Sequence, residues 1–187
     1  NPGDDLGRTP LHFAAKHGHL KTFQFIMGKS DDKNPSTFDG TTPLHLAAAD
    51  GHLAIVKLII EHIEGDKNPG DDLGRTPLHF AAKHSHLKTC QFIMGKIDDK
   101  NPSSFDRTTP LHLAAEDGHL AICKLIVEHM TANKNPADIY WSYTPLHYAA
   151  KNGNLAICKL IMEHIDGDKN PGDELGRTPF HFAAKHG

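Results

Sequence analysis

A chain of 187 residues, 38% hydrophobic and 23% charged, is long enough for one or two compact domains and too apolar to be disordered. Its 20 basic and 23 acidic residues leave a formal net charge of −3, which excludes the basic excess of a general nucleic-acid or anionic-membrane binder. No apolar run approaches the roughly 20 residues of a spanning helix, so membrane insertion is not expected. No secretory leader is visible, and a start at Asn1 rather than Met leads to the expectation that the true N-terminus lies outside this sequence.

Self-similarity organises the chain. Residues 1–67 and 68–134 align without a gap and differ at 12 positions, among them Gly18/Ser85, Phe23/Cys90, Gly40/Arg107 and Val56/Cys123, the mark of a tandem duplication. Within that unit lies a shorter period. Thr-Pro-Leu-His begins at Thr9, Thr42, Thr76, Thr109 and Thr144, and Thr-Pro-Phe-His at Thr178, with spacings of 33, 34, 33, 35 and 34. The expected organisation is one repeat array of units 1–33, 34–67, 68–100, 101–134 and 135–169, with 170–187 a truncated sixth.

Each unit reads in the same order. Asn-Pro and the polar stretch up to Gly7 or Gly40 predict turns. Thr9 is placed to cap a helix, and Pro10 sits at its first position, where the missing N–H costs nothing. Leu11, Ala14 and Ala15 predict a short helix with a close-packing face. Gly18 ends it with positive φ, and Ser85 at the same position carries an expected cost of about 1 kcal/mol. A second helix follows, with apolar positions such as Leu53, Val56, Leu58, Ile59 and Ile60. Asp-Lys-Asn-Pro closes the unit. Neither helix is stable alone, so each unit must bury its apolar face on its neighbours in a one-dimensional stack.

Thr-Pro-Leu-His-x-Ala-Ala followed by Gly-His-Leu, at a period of 33, resembles the ankyrin repeat over the whole chain. The resemblance implies an all-α repeat solenoid of helix-turn-helix units, each with a projecting β-hairpin or loop finger. Two departures stand out. Ser30–Asn34 and Ile63–Asn68 replace the family's Gly-Ala-Asp-Val-Asn, which predicts a second helix running up to a turn longer. The fifth finger carries one extra residue.

The sixteen histidines fall into register classes. Six belong to the signature (His12, His45, His79, His112, His147 and His181), and the resemblance implies that each braces its cap threonine (Thr9, Thr42, Thr76, Thr109, Thr144 and Thr178) and a neighbouring loop with a neutral ring. Four follow the helix turn (His19, His52, His86 and His119), three end helix two (His62, His129 and His164) and three end helix one (His17, His84 and His186). Pairs such as His17-x-His19 lack the ligand number of a zinc site, so no metal is expected. Cys90, Cys123 and Cys158 share the slot of Phe23 and Val56, which reads as apolar packing, and free buried thiols point to a reducing, intracellular and cytoplasmic setting. No phosphate loop, nucleophile elbow or metalloprotease helix occurs, so neither catalytic residues nor a cofactor is expected.

Residues that vary at the fingers and inner-helix ends are the expected partner contacts: Asp50; Arg75, Lys83 and His84; Phe105, Arg107, Glu116 and Asp117; and Tyr140, Trp141, Tyr143 and Lys151. The helix ends alternate in sign from Lys16 through Asp50, Lys83 and Glu116–Asp117 to Lys151, a pattern suited to a partner of mixed charge or to pairing between neighbouring repeats. Every tyrosine and the single tryptophan lie in Tyr140–Tyr148, an aromatic finger that either presents a hot spot or folds Trp141 back on the next finger. Tyr148, inside helix one, reads as packing. The resemblance implies a non-enzymatic protein-protein interaction scaffold; the alternative is a spacer segment of a larger channel or cytoskeletal linker protein. A sixth helix one without its partner predicts fraying or end-to-end self-association over 170–187.

Overall fold

A computed structural model describes residues 3–131 and 134–186, and for His186 the backbone alone. Asn1, which carries the expectation about the N-terminus, and the side chain of His186 lie outside that description. The described residues form eleven helices and no strand. The chain divides into two compact units, Asn1–Asp98 and Asp99–Gly187.

In the first unit, inner helices α1 (Pro10–Lys16), α3 (Pro43–Ala49) and α5 (Pro77–Lys83) stack side by side, as do outer helices α2 (Leu20–Met27), α4 (Leu53–His62) and α6 (Leu87–Met94). The second unit stacks α7 (Pro110–Glu116), α9 (Pro145–Lys151) and α11 (Pro179–His186), with α8 (Leu120–His129) beside α10 (Leu155–His164). Leu11, Leu44 and Leu78 are fully buried, with the alanine pairs after them, because a helix face of methyl groups lets backbones approach closely. Phe23, Val56, Cys90 and Cys123 are likewise fully buried in one repeating slot. Burial pushes the thiols of Cys90 and Cys123 up to about 12, so they pack as small hydrophobes and are not nucleophiles.

The ends of the helices follow local chemistry. Thr9, Thr42, Thr76, Thr109 and Thr144 are extended N-caps, each followed by proline at the first helical position. The asparagine of Asn-Pro adds a cap from ten residues away: Asn34 Oδ1 accepts the Leu44 N–H at 3.0 Å, and Asn68 Oδ1 accepts that of Leu78 at 3.0 Å. The aspartate of the same motif accepts the asparagine N–H, as at Asp66–Asn68 (2.8 Å). Its lysine caps the preceding helix: Lys33 donates to the carbonyls of Met27 and Ser30, and Lys67 to that of Ile63.

Of the two finger forms that the resemblance allows, the described residues show the loop, with no strand. The first and third are tight turns closed by two nested backbone bonds: Asp4 N–H to Arg8 O (3.0 Å) around Gly7 N–H to Asp4 O (2.8 Å), and Asp71 N–H to Arg75 O (2.9 Å) around Gly74 N–H to Asp71 O (2.8 Å). Helix two has two lengths: eight residues in α2 and α6, ending at Gly28 and Gly95, and ten in α4, α8 and α10. Gly28 and Gly95 remain right-handed (φ −65 and −68), so glycine stops these helices without a left-handed turn.

Candidate protein-binding surface

Two histidine rows brace each unit. In the first row the cap threonine N–H donates to the signature imidazole Nδ1, at 3.0 Å for Thr9–His12 and 3.1 Å for Thr109–His112. Nδ1 is therefore the acceptor, Nε2 carries the proton, and it donates to the next finger: His12 to Thr41 O (3.1 Å), His45 to Arg75 O (3.0 Å), His112 to Tyr143 O (3.2 Å) and His147 to Arg177 O (3.2 Å). The Thr42–His45, Thr76–His79, Thr144–His147 and Thr178–His181 pairs have the same cap geometry, and His181 is exposed. Burial holds His12, His45 and His147 below the usual imidazole value and lowers His112 to about 4.

The second row was not foreseen. His52 Nε2 bonds Lys16 O at 3.0 Å and His86 Nε2 bonds Ala49 O at 2.9 Å, tying each helix turn to the end of the preceding inner helix. In the fifth repeat Asn154 Nδ2 does the same to Ala115 O (3.1 Å). The signal was present in the sequence, a histidine or asparagine always following the left-handed turn residue (glycine, or Ser85 in the third repeat), but its partner lies more than thirty residues away.

The finger bases rest on buried aspartates, which the sequence reading passed over. Asp71 and Asp173 are nearly buried, and each carboxylate accepts two backbone N–H groups of its own finger and the guanidinium four residues on. An Asp-x-x-x-Arg pair shared by the first, third and sixth fingers could have revealed them. Arg75 is thereby committed: its guanidinium reaches Asp71 at 2.7 Å and lies over the Phe80 ring at 5.2 Å. Asp138 takes this place in the fifth finger. It accepts the N–H groups of Trp141 and Tyr143, and the Tyr148 hydroxyl at 2.9 Å takes the place of arginine. Burial, and then that bond, push the Tyr148 phenol up.

Ser142, with φ 55, keeps the left-handed place that Gly7 and Gly74 hold in their fingers, so the extra residue of the fifth finger falls between Asp138 and Ser142, where the closing bond from Asp138 N–H to Tyr143 O (2.9 Å) spans five residues instead of four. Tyr140 and Trp141 stand at the tip, 64% and 52% exposed, and Trp141 joins the next finger through its backbone carbonyl, which accepts the Glu174 N–H at 3.2 Å. Tyr143 is not presented with them. It turns inward, where it stacks on His147 (5.4 Å), meets Phe182 edge-on (5.3 Å) and accepts a bond from Arg177 Nη2 (2.9 Å).

The remaining contact candidates are placed as follows. Phe105 is 74% exposed, and Arg107 is an exposed left-handed residue with φ 60. Asp50, Lys83, Asp117 and Lys151 are exposed, and the Glu116 carbonyl accepts from Asn152 (2.7 Å). His84 caps its own helix by donating to Phe80 O at 3.0 Å. No ion pair joins Lys16 to Asp50, or Lys151 to Glu116 or Asp117. In the first unit a groove of about 480 Å3 opens between the first two fingers and their inner helices, over Leu6, Phe13, Phe38 and Leu46. Among the described residues no group of three or more His, Cys, Asp or Glu side chains is arranged to hold a metal ion, and no helix is long and apolar enough to cross a membrane.

A family model for ankyrin repeats (three copies) matches residues 15–106, 66–138, 96–170 and 131–187. The chain belongs to the ankyrin-repeat family. Ankyrin repeats are generally protein-interaction modules and typically not enzymes. A comparison with curated proteins returned no match. In this ankyrin-repeat protein the histidine rows and buried aspartates hold the fingers, while finger-tip side chains such as Tyr140 and Trp141 and inner-helix ends such as Lys16 and Lys151 stay exposed.

Proposed function

We propose that this chain is a non-enzymatic scaffold, a single array over 1–187, that binds a protein partner through its fingers and inner-helix ends, with the fifth finger as the main contact. The observation that carries the reading is the tip of that finger. Tyr140 and Trp141 stand half or more exposed on a loop anchored by a buried aspartate, and large aromatic side chains on a rigid support are the usual centre of a protein interface. The unpaired Lys16, Asp50 and Lys151 support a second set of contacts, along the helix ends. Three cysteines without disulfides support a reducing, cytoplasmic location. A spacer segment of a larger protein is the alternative, and it requires no partner at the tips.

Affinity capture from source-organism lysate, with this array and a Tyr140→Ala/Trp141→Ala version side by side, separates the two. A specific protein retained by the first and lost by the second is the expected result. A partner kept by both moves the contact to the helix ends. No specific partner for a folded bait favours the spacer.

A second contact, self-association, is favoured by one further surface. Leu155 and Phe180 are 64% and 54% exposed and border an apolar groove of about 280 Å3 among α9, α10 and α11. Two copies joined there would sediment as a dimer at tens of micromolar, and Leu155→Lys would return them to monomers; a monomeric parent at that concentration removes the contact from consideration.

A further inference from the structure

The first unit carries a charge arrangement that the fifth-finger site does not use. Its three finger tips each pair one acidic and one apolar side chain: Asp5 with Leu6, Phe38 with Asp39, and Asp72 with Leu73. Leu6, Phe38 and Leu73 are 57%, 78% and 57% exposed, and the three aspartates are exposed beside them. Neighbouring tips are locked together, Phe38 N–H to Leu6 O at 3.2 Å and Asp72 N–H to Asp39 O at 3.0 Å, so the row is a fixed edge. Cations near it are spent: the guanidiniums of Arg8 and Arg75 sit on Asp4 and Asp71, each at 2.7 Å. The edge is therefore net acidic.

The facing wall differs. The ends of α1 and α5 carry Lys16 and Lys83, exposed, with His17 and His84 beside them; Asp50 at the end of α3 is the one acidic side chain between. Between the two walls lies the apolar groove of Leu6, Phe13, Phe38 and Leu46. The opening thus reads acidic, apolar, basic from one side to the other.

The geometry points to an amphipathic helix as the occupant of this groove, with basic residues along one flank, an apolar stripe facing down, and acidic residues along the other flank. An extended segment offers only two faces, because its side chains alternate, and cannot present three chemistries side by side. A helix can, since an apolar stripe of about 100° leaves a separate polar flank on each side. Over the groove itself the basic flank meets Asp39, with Asp5 at the neighbouring tip, and the acidic flank meets Lys16; Asp72 and Lys83 of the third repeat continue the two walls beyond it. This inference rests on the scaffold reading but on a different surface from Tyr140 and Trp141.

The test uses two synthetic 21-residue helical peptides of identical composition and zero net charge, fluorescein-labelled and titrated with the full chain by anisotropy. One has a Leu stripe with Lys on one flank and Glu on the other. In the second, Lys and Glu are interleaved on both flanks. The partitioned peptide is expected to bind at least ten-fold tighter, and Asp5→Lys/Asp72→Lys, with helicity checked by circular dichroism, to erase the preference. Lys16→Glu/Lys83→Glu, on the opposite wall, is expected to do the same. Equal affinities, binding of neither peptide, or a preference untouched by both double variants would overturn the proposal. Lysate capture lost with Tyr140→Ala/Trp141→Ala would still stand in that case, so the two readings fail separately.

Discussion

Lowering the pH from 7 to 5 is expected to destabilise this protein, with His112 alone responsible for about 2 kcal/mol. The reason is geometric. Nδ1 of His112 accepts the Thr109 N–H at 3.1 Å, so a proton added there would set donor against donor, and the ring has almost no water to turn to. Burial lowers its folded value to about 4, with Asp138 and Asp106 opposing only in part. Its unfolded value is roughly 6.5, so the unfolded chain binds more protons between those limits, and stability is complete above about pH 7 and falls as pH drops towards 4. His12, His45 and His147 are shifted in the same direction by burial and add to the loss. Thermal unfolding followed by circular dichroism at pH 7, 6 and 5 checks this. A Tm that stays flat would refute it. His112→Gln should be less stable at pH 7 and visibly less sensitive to pH.

The second large effect lies at the turn between α3 and α4. Gly51 has φ 71, and a Cβ there would sit 2.4 Å from the imidazole of His86. Gly51→Ala is therefore charged twice: about 1 kcal/mol or more for a left-handed side chain, and about 1 kcal/mol for displacing His86 from Ala49 O. The expected sum is about 2–3 kcal/mol, read as a lower urea midpoint with an unchanged slope. The opposite exchange is available at the same point of the third repeat. Ser85 is exposed and already left-handed at φ 65, so Ser85→Gly should gain up to about 1 kcal/mol, reduced by the greater freedom of glycine in the unfolded chain. If Gly51→Ala costs no more than an ordinary surface change, His86 moves aside without penalty and the turn row contributes little.

The repeat, both helices of each unit, the threonine caps with their prolines and the left-handed turn residues were legible because each depends on neighbours within four residues. A threonine before proline caps a helix whatever lies beyond it, and the residue between the inner and outer helix, Gly18 or Ser85, turns left to leave the first of them. The shared slot of Phe23, Val56, Cys90 and Cys123 was legible for a related reason: one position that accepts all three types can only be asking for apolar volume.

Tertiary structure alone decided the rest, because those choices depend on atoms thirty or more residues away. Nothing local says that His52 will reach Lys16 O, or that Arg75 will be drawn to Asp71 rather than to a partner. Tyr140, Trp141 and Tyr143 look alike in the sequence. The fold separates them, because His147, Phe182 and Arg177 form a pocket that takes the third, while the first two stay exposed at the tip. The repeat period told how the units are built; which side chains remain at the surface was settled only when each unit met its neighbour and buried what it could.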